Sequence, residues 1–416
     1  MCDAMTLRND ADTIIQQAIK DTQPDKAVRE ALKELPACNG RLFLVAIGKA
    51  AFTMAESAEA ILQKKISDGI LITKYGHVKH PLKQVQCYEA GHPVSDENTY
   101  LATEKVLEMT EDLKEEDLVL FLISGGGSAL FEKPLVSSRE WEDINDQLLK
   151  SGADIREINT VRKKLSSVKG GKFARHCSPA QIYSIILSDV LNDPLDVIAS
   201  GPAYPDQSEQ DDAGKVADKY HLKLSLTAQK LLKEDSVKEL DNVKSCIAGN
   251  VHQLCESVRR SAEKLGYRAN IVKEDLTCEA RDAGKWLAEF LKEETAEEKE
   301  AWIAGGETVV HGRGRGLGGR NQELALSAAQ YIEGRKDVCI FSFGSDGTDG
   351  PTDAAGGYVD GYSAEVLRKA GILIAEVLEN NDAYHALKQC NGLIISGPTG
   401  TNVNDVCVLL KGKEAE

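Results

Sequence analysis

Short apolar segments that end in glycine and lead into an amphipathic helix recur along this chain. Residues 41–47 (RLFLVAI) are followed by Gly48 and Lys49, and then by apolar residues at helical spacing. Residues 118–123 (LVLFLI) lead in the same way into a turn with three consecutive glycines. Strands that are apolar on both faces and alternate with helices are typical of a parallel sheet covered on both sides. This repeated pattern predicts an α/β fold.

The length of the chain predicts two domains. At 416 residues it exceeds the size at which a single hydrophobic core stops growing. We expect a larger Rossmann-like domain over residues 1–238, which starts with a helical segment at residues 6–35, and a smaller α/β domain over residues 239–416. The junction is placed in the polar, helical stretch 207–240, and the acidic run 293–300 is interpreted as a linker.

Composition and charge exclude several classes of partner. The net charge of −16 argues against a nucleic-acid or anionic-membrane surface, and no apolar run reaches the roughly 18 residues of a membrane span. The N-terminus lacks the basic and apolar regions of a signal peptide, and the cysteines form no C-x-x-C motif. We therefore expect reduced thiols in a cytoplasmic protein. An anionic substrate would require a local positive site in so acidic a chain.

The most informative stretch for function lies between a short apolar strand and a helix that begins at Asn321. It contains Glu307 and then alternates glycine with arginine over residues 312–320 (GRGRGLGGR). Glycines let backbone N–H groups approach a ligand, and a helix N-terminus favours negative charge. Arginine binds phosphate or carboxylate through two parallel hydrogen bonds. We therefore interpret Arg315, Arg320 and Asn321 as parts of an anion-binding loop.

A second apolar strand leads into an acidic loop with Asp346, Asp349 and Asp353. Carboxylates held at a strand end are oxygen ligands that Mg²⁺ uses together with substrate phosphates. Taken alone, the loop is equally well explained as a turn, because Asp, Gly, Thr and Pro all favour turns. Beside an anion-binding loop, it predicts phosphoryl transfer. The later polar loop 397–405 includes Asn404, which we expect to face a ligand.

Other strand ends carry further candidate groups. Lys49 lies where open α/β sheets bind ligands, although a solvated lysine at a helix start would give the same pattern. Asp189 follows an apolar strand and is placed to accept a hydroxyl proton or to bind Mg²⁺. The glycine-rich turn after residues 118–123 predicts a nest of backbone donors. The predicted nest residues are Ser124, Gly125, Gly126, Gly127 and Ser128.

A basic stretch at residues 159–175 stands out in the acidic chain. Its charged residues are Arg162, Lys163, Lys164, Lys169, Lys172 and Arg175. The stretch is either an exposed basic helix or an electrostatic funnel for a phosphorylated ligand, and the residues alone favour neither.

Taken together, these motifs resemble those of the glycerate 2-kinases whose C-terminal part is a MOFRL domain. The matching segments are residues 47–51 (IGKAA), 91–99 (GHPVSDENT), 122–130 (LISGGGSAL), 158–174, 187–202, 305–326 and 344–357. The resemblance implies Mg²⁺-dependent transfer of the γ-phosphoryl group of ATP to the 2-hydroxyl of D-glycerate. It also implies a MOFRL region at about residues 300–411, an active site in the cleft between the two domains, and active-site roles for Lys49 and Arg320.

The expected roles combine both lines of reasoning. Lys49 and the nest hold anionic groups, Asp189 accepts the hydroxyl proton or binds Mg²⁺, and Arg320 neutralises the moving phosphoryl group. The other residues expected to contact substrate or ATP are Glu307, Arg315, Asn321, Asp349 and Asn404, and the expected metal ligands are Asp189 and Asp346. We expect a monomer or homodimer that binds D-glycerate, ATP and Mg²⁺, and neither nucleic acid nor membrane.

A competing enzyme class is an NAD(P)-dependent hydroxypyruvate reductase. Gly314, Gly316 and Gly319 match the dinucleotide pattern G-x-G-x-x-G. That pattern requires a tight turn directly after a strand and a strand-end acid about 20 residues later. Neither is present, so the match is weak. A non-catalytic regulator that binds a sugar acid or a nucleotide is a third interpretation.

Overall fold

The computed structural model describes residues 4–209, 212–292 and 298–413, so residues 293–297 of the predicted linker lie outside it. Contacts within the chain define two compact units. We call Pro24–Ala248 the central unit, and Met1–Gln23 together with Gly249–Glu416 the terminal unit.

These units differ from the predicted domains at both ends of the central unit. The first 23 residues group with the C-terminal half of the chain, and the central unit extends ten residues beyond position 238. The domain boundaries given above, 1–238 and 239–416, stay a prediction.

The predicted N-terminal helical segment consists of two helices in different units. Helix α1 (Ala4–Asp21) belongs to the terminal unit, where the Asp10 carboxylate accepts a 2.7 Å hydrogen bond from the Tyr267 hydroxyl. Helix α2 (Pro24–Ala31) begins the central unit. Proline lacks the N–H that would continue α1 and is favoured at the first position of a helix, so Pro24 explains the break.

The central unit is organised around a sheet whose strands are β1 (Leu42–Ile47), β2 (Ile66–Lys74), β3 (Gln86–Ala90), β4 (Leu118–Ile123), β5 (Gln181–Leu187) and β6 (Val243–Gly249). Their spatial order is β3-β2-β1-β4-β5-β6, and β1 to β5 pair in parallel. Phe43 and Val45 enter the hydrophobic core on one face of the sheet, and Leu44 and Ala46 enter the core on the other. The predicted Rossmann-like parallel sheet is thus confirmed.

The strand order reverses direction between β1 and β4. From β1 the chain proceeds outward to β2 and β3, and then returns to place β4 on the other side of β1. In open α/β sheets the carboxyl ends of the two strands at such a point leave a crevice that binds ligands. The loops that follow these two strands are those of Lys49 and of the predicted nest.

The helices of the central unit after α2 are α3 (Ala51–Leu62), α4 (Glu97–Met109), α5 (Gly127–Leu130), α6 (Ser138–Ser151), α7 (Ile155–Leu165), α8 (Lys172–Cys177), α9 (Asp212–Lys219) and α10 (Leu226–Leu231). Helices α9 and α10 lie in residues 207–240, where the sequence places the junction between the two domains. Val216 of α9 and Ala228 of α10 share a hydrophobic cluster with Trp141 of α6 and Val161 of α7. This stretch is therefore packed into the central unit.

The terminal unit has a mixed sheet made of β7 (Arg268–Leu276), β8 (Glu300–Gly306), β9 (Val338–Gly344), β10 (Gly356–Asp360), β11 (Leu393–Ile394) and β12 (Asp405–Lys411). The spatial order is β11-β10-β9-β12-β8-β7. The last strand, β12, is inserted antiparallel between β8 and β9, while β7 and β8 are parallel. Because of this register, the first residue of β12, Asp405, lies opposite the last residues of its neighbours, Gly306 and Gly344.

The helices of the terminal unit after α1 are α11 (Val251–Lys264), α12 (Ala280–Glu289), α13 (Arg320–Ala328), α14 (Ser363–Lys369), α15 (Ile374–Glu379) and α16 (Ala383–Gln389). Helices α12 and α13 pack closely at Gly284, where an added Cβ would lie 2.2 Å from the Leu324 carbonyl oxygen. In the described part of the chain, no helix is long and apolar enough to cross a membrane.

The start of α13 is capped by a carboxylate from the acidic loop. Asp349 accepts hydrogen bonds from the backbone N–H groups of Asn321 (3.2 Å) and Gln322 (2.9 Å) and from the Gln322 side chain (3.0 Å). Burial raises the pKa of Asp349 to about 6, although these hydrogen bonds oppose the shift. The structure thus gives both Asn321 and Asp349 a role within the fold, and their contact with a ligand stays a prediction.

We predict that Gly284→Ala destabilises the terminal unit. The added methyl group would force α12 and α13 apart, at a cost of about 1–3 kcal/mol. The matched control is Gly214→Ala in α9, where nothing lies within 4 Å of an added Cβ and removal of a helical glycine should be neutral or slightly stabilising. Thermal unfolding measures both, and equal melting temperatures would contradict close packing at Gly284.

We also predict that raising the pH from about 4 to about 7 destabilises the wild type relative to Asp349→Asn. Because the pKa is raised on folding, the folded protein keeps a proton through a range in which the unfolded chain has lost it. Stability is therefore lost as the pH rises through about 6, by about 3 kcal/mol. Urea unfolding measures the difference, with the exposed Asp353→Asn as the control, and a difference independent of pH would contradict the assignment.

Candidate active site

Lys49 follows β1 in a loop that is tied to the loop after β4. The Lys49 N–H donates to the Gly125 carbonyl (2.9 Å), and the Ala50 N–H donates to the Ser124 hydroxyl (3.1 Å). Gly48 has a φ of +110° and lies so close to Ser124 that an added Cβ would meet the Ser124 carbonyl oxygen at 2.3 Å. The two loops predicted to bind ligand therefore form one structure at the point where the strand order reverses.

The Lys49 side chain has the environment of a binding residue. It is half-buried, yet no described residue forms a hydrogen bond or ion pair with its ammonium group. A lysine that served only the fold would have a partner within the protein, because removing a charge from water is costly. The geometry favours the ligand-binding interpretation of Lys49.

The nest brings a carboxylate and a cation close to its backbone. An added Cβ on Gly125 would lie 2.1 Å from Asp189 Oδ2, and one on Gly126 would lie 3.4 Å from Lys49 Cε. Gly126 also has a φ of +84°, a left-handed conformation that glycine adopts without strain. The structure thus places Lys49, Asp189 and the predicted nest together at one edge of the central sheet.

The nest is also supported by residues that the sequence analysis missed. The hydroxyls of Ser128 and Ser200 lie 3.0 Å apart, and Ser200 donates in turn to Asn159 Oδ1 (3.3 Å). Ala199 and Ser200 have φ values of 50° and 60°, which non-glycine residues rarely adopt. Two successive strained residues beside a binding loop were not predictable from residue types alone.

The basic stretch 159–175 is neither an exposed helix nor an open funnel. Lys163, Lys164 and Lys169 are buried, and Lys169 Nζ lies 3.0 Å from a carboxylate oxygen of buried Glu132. Burial lowers the pKa of Lys169, and burial also lowers the pKa of Lys172, to about 8. Lys169 further donates to the Ser128 carbonyl (2.8 Å). These lysines hold the loops of the central unit in place, because each buried ammonium needs a partner within the protein.

The Gly-Arg loop of the terminal unit is held by other parts of its own unit. The N–H groups of Arg313 and Gly314 both donate to Asn381 Oδ1, at 2.7 and 3.0 Å, and the Gly316 N–H donates to the Asn380 carbonyl at 2.8 Å. An added Cβ on Gly314 would lie 2.4 Å from the Asn380 backbone. These glycines therefore allow close approach of the protein backbone, a role that the sequence analysis assigned to a ligand.

Arg320 is the charged centre of the terminal unit. Its Nε and Nη2 bind the two oxygens of the Asp405 carboxylate, at 2.5 and 3.1 Å, and its Nη1 lies 3.0 Å from Glu307 Oε1. Burial alone would lower the pKa of Arg320, but the hydrogen bonds and charge of Asp405 and the charge of Glu307 raise it. Burial raises the pKa of Asp405 in spite of its arginine partner. Sequence reasoning found Arg320 and Glu307 but missed Asp405.

The other predicted residues of this unit lie around the same strand ends. Asp346 and Asp405 each place a carboxylate oxygen near Gly344, 3.3 and 3.2 Å from the position of an added Cβ. Asn404 is buried, with a φ of +67°, and its carbonyl accepts from the Ser345 N–H (3.1 Å). Arg315 is exposed at the surface of the loop. Arg320, Glu307 and Asp346 are thus gathered in one place.

The predicted metal ligands are single carboxylates and form no cluster of several protein ligands among the residues that the structure describes. Within residues 4–209, 212–292 and 298–413, no group of three or more His, Cys, Asp or Glu side chains could hold a metal ion. Mg²⁺ is usually held by one or two carboxylates, with substrate phosphates and water completing its shell. Asp189 and Asp346, both at strand ends, have the chemistry for that role, so the residues present fit the ion.

Two family models match this sequence. A domain of unknown function, DUF4147, matches residues 10–233, and the MOFRL family matches residues 300–405. The first match covers most of the central unit, and the second includes the Gly-Arg loop, the acidic loop and the beginning of β12.

Similar proteins include a kinase and a protein named as a putative reductase. The chain is 50% identical to a D-glycerate 2-kinase of Thermotoga maritima, over 98% of this chain and 99% of that protein. It is 35% identical to a putative hydroxypyruvate reductase of Agrobacterium vitis, over 96% of this chain and 93% of that protein.

A crystal structure of glycerate kinase from Thermotoga maritima covers 98% of this chain, and this chain covers all of that one, with a TM-score of 0.95 at 49% identity. The predicted combination of a Rossmann-like sheet with a C-terminal MOFRL region is confirmed. The chain belongs to the family of MOFRL-domain glycerate 2-kinases.

Proposed function

We propose that this protein transfers the γ-phosphoryl group of ATP to the 2-hydroxyl of D-glycerate, giving 2-phosphoglycerate and ADP, with Mg²⁺ as the metal. The observation that carries the proposal is that Lys49 is half-buried, that its ammonium has no partner among the described residues, and that its side chain lies beside the glycine-rich loop after β4. Such a cation at the reversal point of a parallel sheet is suited to an anionic ligand. Membership of the glycerate 2-kinase family supports the same reaction.

In the central unit, Lys49 and the nest hold anionic oxygens of the substrates. Gly126 is half-buried and carries no side chain, so that ligand oxygens can approach main-chain N–H groups of the nest. The Asp189 carboxylate, packed against Gly125, is the base for the substrate hydroxyl. As the new bond forms between the glycerate 2-oxygen and the γ-phosphorus, the bond to the ADP oxygen breaks and Asp189 takes the hydroxyl proton.

In the terminal unit, Arg320 neutralises charge on the phosphoryl group during transfer. Asp405 accepts two hydrogen bonds from one edge of the guanidinium, so the remaining N–H donors keep a fixed direction. A preoriented cation needs no reorganisation in the transition state. Mg²⁺, when bound, would neutralise phosphate oxygens, and Asp346 would hold it, or Asp189 if another group takes the hydroxyl proton.

The reductase alternative is not supported by the geometry of its motif. Gly316 and Gly319 would meet Asp382 and Asp349, respectively, if they carried a side chain. The glycines therefore serve packing within the terminal unit, and they do not follow a strand directly. The similarity to the protein named a putative hydroxypyruvate reductase is lower than that to the D-glycerate 2-kinase.

We place the enzyme in the cytoplasm, as a monomer or homodimer without nucleic-acid or membrane partners. The described cysteines are free thiols, which suits a reducing compartment. The net charge of −16 would repel nucleic acid and anionic lipid.

The proposed reaction is tested by ³¹P NMR of purified protein with ATP, Mg²⁺ and D-glycerate. We expect a 2-phosphoglycerate resonance to grow in step with ADP. A 3-phosphoglycerate resonance would contradict the proposed position of transfer. Absence of both, with NADH consumed when hydroxypyruvate is supplied, would replace the kinase by the reductase.

We predict that Arg320→Ala lowers kcat by about 10²- to 10³-fold, because a preoriented charge on the transferring group is lost. Steady-state assays of ADP release measure the effect. Arg320→Lys should recover little of this loss, since lysine cannot make two parallel hydrogen bonds to Asp405. The matched control is Arg313→Ala in the same loop, whose side chain binds Glu279 and Glu379. A kcat for Arg320→Ala within tenfold of wild type would contradict the assigned role.

A further inference from the structure

His92 lies at the edge of the central sheet where Lys49 and the nest are found. It is the second residue after β3. Strands β1, β2 and β3 are parallel to one another. The carboxyl ends of parallel strands meet at one edge of a sheet, so the residue after β3 is carried to the same side as Lys49. Sequence analysis quoted the segment that contains His92 but gave this histidine no role.

Gly126 brings His92 and Lys49 to one point. An added Cβ on Gly126 would lie 2.9 Å from both Nε2 and Cδ2 of His92, and 3.4 Å from Lys49 Cε. Any side chain at position 126 would thus fill the space between the imidazole and the lysine. With glycine there, that space is bordered by an imidazole, an ammonium-bearing chain and an accessible backbone.

The imidazole is available for a ligand. His92 is half-buried, and neither ring nitrogen has a hydrogen-bond partner in the portion of the chain that the structure describes. Burial lowers the pKa of His92, and the charges of Lys49, Lys74 and His77 lower it further. A neutral imidazole offers one N–H donor and one acceptor nitrogen. Because neither nitrogen is used by the residues that the structure describes, the ring can offer its N–H or its acceptor nitrogen to a ligand.

We propose that His92 is a further substrate-binding residue, which donates a hydrogen bond to the same anionic group that Lys49 attracts by charge. The proposal rests on the kinase function proposed above and extends it to a residue outside the predicted site. The group is an oxyanion next to Gly126, either the carboxylate of glycerate or a phosphate of the nucleotide. Both present the same chemistry to an imidazole N–H, and kinetics with each substrate distinguish them.

The kinetic test compares His92→Ala, His92→Gln and wild type. Loss of a hydrogen bond to a charged oxygen should raise one KM by about 10- to 100-fold and change kcat much less. His92→Gln keeps an N–H donor and should recover part of the affinity. A raised KM for glycerate identifies the carboxylate, and a raised KM for ATP identifies the phosphate. The matched control is His80→Gln, because His80 lies on the same unit but bonds to Glu56 instead.

A second measurement does not depend on turnover. In wild-type protein labelled at histidine, D-glycerate and ATP are titrated separately while the imidazole resonances are recorded. The His92 signals are assigned by their absence from His92→Gln. We expect one of the two ligands to shift the His92 resonances, with the His80 resonances unchanged. If the protein binds a substrate but transfers no phosphoryl group, this shift still appears, so failure of the kinase function is distinguished from failure of the His92 role.

Three results would overturn the role of His92. One is a set of unchanged KM values for both substrates in His92→Ala. Another is His92 resonances that respond to neither substrate at concentrations that saturate the wild-type enzyme. A loss confined to kcat would also overturn it, because a binding contact present in the ground state must affect KM.

Discussion

The ion pair between Arg320 and Asp405 is the interaction on which the terminal unit depends. Asp405 is buried, and a carboxylate left without a partner in such a place would cost several kcal/mol. Arg320, the partner of Asp405, is the first residue of α13. The pair forms because β12 runs antiparallel between β8 and β9. Glycine stands at the ends of both neighbouring strands, so the guanidinium and the carboxylate have room to meet. One pair thereby joins the final strand, the start of a helix and the ends of two strands.

The central unit contains both lysines with partners and, within the part that the structure describes, a lysine without one. Its buried lysines all have partners within the protein, as Lys169 has in Glu132, and these pairs hold loops in place. Lys49 is half-buried, but its ammonium has no partner among the described residues. The electrostatic cost of burying a lysine without a partner therefore supports the proposal that Lys49 binds an anionic ligand. The presence or absence of a partner therefore distinguishes lysines that stabilise the fold from a lysine that is a candidate for ligand binding.

The parts of the site that follow local rules were predictable from sequence. The strand-glycine-helix pattern places Lys49, the nest and Asp189 at strand ends, because each depends on only a few neighbouring residues. Asp405 was not predictable, since its role depends on the antiparallel insertion of β12, which no local pattern encodes. Gly314 and Gly316 were assigned to a ligand because their partners, Asn381 and Asn380, lie more than sixty residues away in the sequence. Likewise, charge alone does not reveal that the lysines of residues 159–175 are buried.

The most direct test of the claim that Asp405 acts through Arg320 is a double-mutant cycle on kcat/KM. The four proteins are the wild type, Arg320→Ala, Asp405→Ala and the double variant, each assayed for phosphorylation of glycerate at equal folded concentration. If Asp405 serves only to orient Arg320, we predict that the double variant is as active as Arg320→Ala alone, because the carboxylate has nothing left to orient. Losses that multiply in the double variant would contradict this and would show that the two residues act independently.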